Sequence, residues 1–362
     1  TSRFRLNMTI GDYMDRNEII YRRLHNTGLI EKIDNFDSLI TRAFGIQSQY
    51  YNHAIFNIYN RLNNSRGKDI NEFKKRHEMI LGWGQRDTLH IYNIRTWKRI
   101  NGFLMPNTWV KKNFDKKSMN IDLEKENFHC LTNRKDILMN DLKKKYEDRW
   151  KLVFEWSALF VELSRNSEIY LKFNEKEEKK VCYNLDRSTE CFSKNEIAYL
   201  FFEFYGPATI DDLCHFFDTT KKFWNNELDL KRLEKFEFEG DTFYYKKHEL
   251  KQRDPNAMNI TLLGKFDPLL VAYARKDILV PKKYHKIVWG AGGQISPILF
   301  VNENFAGKWS FRLSVNSIRF DISVLEAYMT EESRAKIEII LKNFSNWMVR
   351  RKIIFNWSLL DI

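Results

Sequence analysis

Apolar side chains return every three to four positions in some stretches of this chain and every second position in others; the first period marks helices, the second strands. Residues 16–28 form an amphipathic pattern that stops at Gly28. Asp37 is placed to cap a second helix reaching about Phe44. The helical pattern breaks at Gly45-Ile-Gln-Ser-Gln-Tyr50 and restarts over Ala54–Leu62. Ile70–Leu81 reads as a basic amphipathic helix carrying Lys74, Lys75 and Arg76, and Gln85–Tyr92 as a strand. Three helices followed by strand structure is the winged-helix order. Residues 111–190 are lysine-rich and largely helical in period, which predicts connecting helices, with Asn174–Lys180 a solvated loop or helix end.

The order repeats downstream. Ser193–Tyr205 is an amphipathic helix with Ser193 as cap and Glu196 at capping-box spacing. A turn at Gly206-Pro207 leads into Ile210–Phe217. Thr219 or Thr220 then opens a helix carrying Lys221, Lys222, Trp224, Lys231 and Arg232. Phe236 to Tyr245 forms a hairpin around Gly240. From Asn259 the texture becomes β-rich: strands are expected at Ile287–Trp289, Ile295–Val301, Gly307–Arg312 and within Ser314–Ile322, with a helix over Glu331–Val349. The expected division is a first winged-helix domain at 10–115, a connecting helical region at 116–190, a second winged-helix domain at 191–258 and a small barrel-like β-rich region with helices at 259–362. The class is α+β.

Composition narrows the partners. A length of 362 residues suits two or three domains, and 43% hydrophobic residues suffice for packed cores. Sixty Lys and Arg against 48 Asp and Glu leave a formal charge of +12, which fits a polyanionic partner, although a basic protein without one has the same excess. The four cysteines form no CxxC pair and read as reduced thiols of a cytosolic protein. The eight histidines are scattered at no zinc-ligand spacing, so no metal is expected. No run of about 18 apolar residues predicts a membrane span. Thr1–Asn7 has no apolar signal core, and Met8 is a natural start. P-loop, GxSxG and Rossmann patterns are absent, removing NTPase, hydrolase-elbow and dinucleotide readings.

Three groups of residues carry candidate chemistry. Gln47-Ser48-Gln49 holds two of the chain's five glutamines. On extended backbone residues two apart share a face, whereas a helix would point them about 200° apart. The pair is either two neutral amides aimed into one cleft, able to position a water and stabilise charge, or ordinary surface amides. On a strand, Arg86, Thr88 and His90 would share a face able to meet phosphate or an active-site water; the alternative is a wet strand face. The basic helices at 70–81 and 220–234 occupy the recognition position of the winged-helix order, which favours duplex contact by Lys74, Lys75, Arg76, Lys221 and Lys222 over mere solvation. Phe266-Asp267-Pro268 reads most simply as a structural turn.

These residues, taken in order, resemble the AlkZ-like winged-helix DNA glycosylases. The matching pieces are Gly45-Ile-Gln-Ser-Gln49, Arg61-Leu62, Arg86-Asp-Thr-Leu-His90, Tyr205-Gly-Pro-Ala-Thr209, Asp211-Asp-Leu213, Leu262–Leu270, Trp289 to Gly293 and Phe305-Ala-Gly-Lys-Trp309. They span about residues 20–345. The resemblance implies a C-shaped molecule of tandem winged helices with a small β-barrel around duplex DNA. It maps the family's Gln-apolar-Gln catalytic motif onto Gln47 and Gln49, with Ser48 at the normally apolar position. It also puts Asp87 where the family often has glycine. The implied activity is a monofunctional glycosylase for alkylated purines, bulky or crosslinked adducts included, with no cofactor, acting as a cytoplasmic, nucleoid-associated monomer on double-stranded DNA. The competing readings are a non-enzymatic winged-helix regulator and a β-rich interaction scaffold. Unlike units in tandem within one chain favour a monomer over a dimeric regulator.

Overall fold

A computed structural model describes residues 14–361, apart from 64–65, 187–189, 225–227, 248–249, 251–253 and 255–256. The first part runs α1 (Arg16–Asn26), α2 (Phe36–Ala43), β1 (Ile46–Gln47), α3 (Tyr51–Tyr59), α4 (Ile70–Arg76), β2 (Ile80–Trp83) and β3 (Leu89–Tyr92). Helices α5 (Ile94–Phe103), α6 (Trp109–Lys116) and α7 (Ile121–Thr132) follow, then β4 (Ile137–Leu138), α8 (Met139–Tyr146), α9 (Trp150–Val153), α10 (Ala158–Arg165), β5 (Ile169–Phe173) and β6 (Lys179–Tyr183). The second part begins α11 (Lys194–Phe204), α12 (Ile210–Phe217), α13 (Lys221–Trp224), β7 (Glu234–Phe238) and β8 (Asp241–Tyr245). It ends β9 (Ile260–Leu263), α14 (Pro268–Val271), α15 (His285–Val288), β10 (Ile298–Val301), β11 (Asn304–Leu313), β12 (Ser317–Val324), α16 (Glu331–Trp347) and β13 (Lys352–Leu359).

Local chemistry explains most of these boundaries. Asp15, Asn35 and Asp69 each accept a backbone N–H of the first turn of α1, α2 and α4. The cap of α2 is therefore Asn35, and Asp37 instead accepts a hydrogen bond from Asn93 at 2.7 Å. Ser193 caps α11, but Glu196 binds Arg99 across the fold at 2.6 Å rather than closing the box. The full reciprocal box belongs to Thr209 and Asp212 on α12. Thr220 accepts the Phe223 N–H at the start of α13.

Several expected elements are shorter or of another kind. The helix predicted over Ile70–Leu81 ends at Arg76, and Ile80–Trp83 becomes β2 because its apolar side chains are buried on both faces. The strand predicted over Gln85–Tyr92 is a tight turn at Gln85–Asp87 followed by β3, so Arg86 and Asp87 lie outside any strand alternation. The helix expected over 220–234 stops at Trp224 where the described residues break off; Lys231 and Arg232 stand beyond it, next to β7. The "connecting helices" contain the hairpin β5–β6, and Asn174–Glu178 is its turn, with the Asn174 side chain accepting from Lys176 and Glu178. Ile287 and Val288 fall in α15.

Three sheets result among the described residues. The six-stranded sheet has the order β1-β3-β2-β5-β6-β4, and β7–β8 is a two-stranded hairpin turning at Glu239-Gly240. The third sheet runs β13-β12-β11-β10-β9. Among the described residues it is open rather than a closed barrel: β9 and β13 form its two edges. Strand β13 joins parallel to β12 through the α16 crossover, and a parallel neighbour requires such a long connection. Helix α16 packs on this sheet through Phe344, whose ring meets Phe311 at 5.6 Å and Phe56 of α3 at 5.0 Å.

Helix α3 is stitched to the segment after β9. Asn57 accepts from Gly264 N at 2.9 Å and donates to Lys265 O at 3.3 Å, while Asn60 donates to Leu262 O at 2.8 Å. Beside them Arg61 makes a two-pronged ion pair with Asp267, at 2.8 and 2.7 Å, both side chains wholly buried. Asp267 also caps α14 through Leu269 N. A buried charge left without its partner is far more costly than a pair of apolar groups. Arg61→Ala and Asp267→Ala are each expected to lower stability by about 3–5 kcal/mol, whereas the double replacement Arg61→Met with Asp267→Leu recovers most of it. Urea unfolding of the three variants checks this, and additive losses would disprove the coupling.

Candidate active site

Gln47 ends a two-residue strand reached through a strained exit from α2. Phe44 caps α2 in the left-handed region (φ 57°), and Gly45 follows at φ 85° with its N–H on Ile40 O at 2.9 Å. A Cβ on Gly45 would also stand 2.3 Å from the Tyr92 ring, so both conformation and space demand glycine there. Phe44 is held at 5.2 Å from Phe217 and 6.0 Å from Phe216 of α12. Tyr205 Oη donates to Ala43 O at 2.9 Å, and Tyr273 Oη donates to Tyr205 O at 2.8 Å. The approach to Gln47 is thus gripped by the second part of the chain.

β1 pairs antiparallel with β3, Gln47 opposite His90, and Ser48 N–H donates to Leu89 O at 2.7 Å. Gln47 is 6% exposed, Ser48 3%, and Gln49 is exposed. The two glutamines therefore differ: one is inserted, the other stands at the rim. Arg86 Nη2 donates to Gln47 Oε1 at 3.2 Å, and its Nη1 donates to Val271 O at 3.0 Å. The guanidinium also lies 5.6 Å from the Phe216 ring centroid. Burial lowers the Arg86 pKa from its ordinary value, with Tyr205 and Asp218 acting in the opposite direction. With Oε1 of Gln47 facing Arg86, the amide directs its Nε2 donors to the other side.

The other residues of the Arg86–His90 segment have structural duties. Arg86 and Asp87 both adopt positive φ, 54° and 51°, in the tight turn. Asp87 turns toward Arg165, with which it forms an ion pair, and accepts from Trp109 Nε1 at 2.8 Å. Burial raises its pKa, and the Arg165 charge opposes that rise. The Asp87 carboxylate is thus balanced by partners from α6 and α10. Thr88 Oγ1 donates to Gln85 O at 3.1 Å. His90 is 2% exposed with Nδ1 on Thr88 O, and burial depresses its pKa to about 3, so it is neutral and too deep to meet a phosphate.

Sequence reasoning missed Gln85. Its Nε2 donates to Phe44 O at 2.7 Å and its Oε1 accepts from Tyr92 Oη at 2.8 Å, so it locks the turn to the end of α2. Its position next to Arg86 was the only available signal. Tyr50, next to Gln49, was missed as well; its hydroxyl donates to Gln294 Oε1 at 2.8 Å.

The basic residues do not converge on the glutamines through any contact described. Lys74 binds Glu177 at 2.7 Å beside a groove of about 670 Å3, while Arg76 pairs with Glu72. Lys75 is exposed and lines that groove, which contains neither Gln47 nor Gln49. Lys221 pairs with Asp211 at 2.8 Å, and Lys222 is exposed. The β7–β8 turn is acidic: Glu239 and Asp241 are held by Arg275.

Comparison with known proteins bears on the fold and on the second part of the chain. Residues 194–347 match the family profile described as "AlkZ-like: DNA glycosylase AlkZ-like". The second part of the chain thus carries the AlkZ-like match. The fold of the chain is also similar to that of the solved Streptomyces sahachiroi DNA glycosylase AlkZ, with a TM-score of 0.70 over 94% of this chain and 98% of that one at 16% identity. At that identity the likeness is one of fold. No curated protein sequence matches the chain. No described helix is long and apolar enough to cross a membrane.

Two outcomes are expected. Ser48 Oγ is buried with no hydrogen-bond partner among the described residues, so Ser48→Ala should raise stability by about 1 kcal/mol, read as a higher urea midpoint; an equal loss would mean the hydroxyl is satisfied. His53 and His90 are both depressed to about 3 by burial, below the unfolded value of 6.5. Between those pH values the unfolded chain binds more protons, so stability present above pH 6.5 is lost as pH falls toward 3. Urea midpoints against pH should slope in that window, and His90→Asn should flatten the slope.

Proposed function

We propose that this chain is a monofunctional DNA glycosylase that hydrolyses the N-glycosidic bond of alkylated, cationic purines in duplex DNA, bulky and crosslinked adducts among them. The supporting observation is the pair Gln47 and Gln49, one amide inserted and oriented by Arg86, the other exposed beside it. Tandem winged-helix units with the duplex against them are part of the same proposal, with Lys75 and Lys222 as phosphate contacts.

Glycosyl hydrolysis usually employs a carboxylate near the developing oxocarbenium charge. Here the carboxylate adjoining Arg86, Asp87, is turned to Arg165 and Trp109. Amides are weaker, and they suffice where the leaving base already carries a positive charge and departs without protonation. What remains is to hold a water. Gln47, with Oε1 turned to Arg86, donates from Nε2 to the water oxygen. Gln49 Oε1 accepts a hydrogen bond from the water, which leaves the remaining lone pair aimed at C1′; as the C1′–O bond forms, the glycosidic C–N bond breaks, its electron pair leaves with the base and neutralises its charge, and the water's proton passes to solvent. No lysine adduct is formed and no metal is required.

The roles are not interchangeable. Gln47→Ala and Gln49→Ala should each reduce release of 7-methylguanine from methylated duplex by about 10²-fold. Gln47→Glu places a carboxylate against Arg86 and removes the donor, so it should fall as far as the alanine variant. Gln49→Glu keeps the acceptor and should retain much more of the rate. Equal rates for the two glutamate variants would refute the assignment. Wild-type chain that binds duplex but releases no 7-methylguanine would leave a DNA-binding protein or an enzyme for bulkier adducts.

A further inference from the structure

Tyr50 follows the rim glutamine and is 38% exposed. Its hydroxyl donates to Gln294 Oε1 at 2.8 Å, and its ring lies 5.9 Å from that of Phe266 with 15° between the planes. The ammonium of Lys265 stands 4.0 Å from the ring centroid. Phe266 and Gln294 are both held in place. Phe266 is buried next to Asp267, whose carboxylate is fixed on Arg61. Gln294 closes a short loop through Gly290 N to Gln294 O at 2.9 Å, and the loop is sealed by the Trp289–Ile295 bridge. An exposed aromatic ring is thus anchored at its tip, backed by a second ring, and already engaged with a cation. Such a ring presents flat, electron-rich surface at little entropic cost.

We propose that Tyr50 is a specificity-determining residue: its ring holds the cationic purine by stacking and cation–π attraction, in place of the Lys265 ammonium. The inference rests on the glycosylase reading and adds to it a residue outside the glutamine pair. An N7-alkylated purine is both planar and positively charged, so it matches the ring twice, while a neutral purine matches it once. Lysine is a compact charge on a flexible stem, and the displaced ammonium is free to turn to a phosphate. Because Tyr50 stands on the surface rather than in a closed pocket, the site suits a base that remains partly in the duplex or carries a large substituent.

Fluorescence titration of the full chain with 7-methylguanosine, kept cationic at mildly acidic pH, and with guanosine reads the ring without turnover. The cationic nucleoside should bind about tenfold more tightly. Tyr50→Phe should keep that preference and Tyr50→Leu should abolish it. Lys265→Gln, which removes the resident cation, should tighten 7-methylguanosine about threefold and leave guanosine unchanged. In release assays Tyr50→Leu should raise the half-saturating concentration of methylated duplex about tenfold, with the saturated rate within about twofold of wild type, since both glutamines remain. Equal wild-type affinity for the two nucleosides, or a preference that survives Tyr50→Leu, overturns the proposal. A preserved preference without any 7-methylguanine release would instead uphold the Tyr50 site and overturn 7-methylguanine as a substrate of the glycosylase reading.

Discussion

The buried ion pair between Arg61 and Asp267 is the constraint on which the candidate site depends. It joins residues 206 positions apart, and neither side chain retains access to water. Two buried charges persist only when each satisfies the other, and the bidentate geometry here does so. Asp267 also caps α14, whose last residue, Val271, supplies the carbonyl that holds Arg86. Arg61 follows α3, whose other end begins just after Gln49 and Tyr50. One ion pair therefore sets the height of the rim glutamine and the position of the arginine that orients the inner one.

Around that pair the second part of the chain acts as a frame for the first. Tyr205, Tyr273, Phe216 and Phe217 all reach the exit of α2 directly or through one another. Arg23 of α1 adds a further tie, donating to Pro207 O at 2.9 Å and lying 3.6 Å from the Tyr273 ring centroid. A catalytic amide has little intrinsic reactivity, so its usefulness depends on being held in one orientation. The density of buried hydrogen bonds and rings behind β1 supplies that rigidity, while Gln49 and Tyr50 remain on the exposed side.

Much of the helical framework was legible along the chain. Residues 16–26, 194–204, 210–217 and 331–347 carry clear apolar periods with recognisable caps, and the Gly240 hairpin follows from its turn residues. The hairpin β5–β6 was not, because the lysines of its strands and the glutamates of its turn mask the alternation of Ile169, Leu171 and Phe173. Strand β13 was missed because a strand that pairs parallel has no local turn to announce it. Gly45-Ile-Gln-Ser-Gln49 showed a helix break, and the extended backbone there ends at Gln47, with Gln49 in the bend that follows. The turn at Arg86-Asp87 was hidden, since nothing in an arginine followed by an aspartate signals two successive left-handed residues.

The sequence by itself determined the α+β class, the basic excess and the two glutamines at a break between helices, all of which rest on local period, composition and turn chemistry. Only the tertiary structure decided that Gln47 is inserted and Gln49 exposed, that Arg86 serves Gln47, that Asp87 answers to Arg165, that His90 is too buried to carry charge, and that the last sheet stays open. Each of these depends on partners brought together from distant positions, and on how much water burial removes. Pairing across 40 to 200 residues leaves no periodic trace in a single chain.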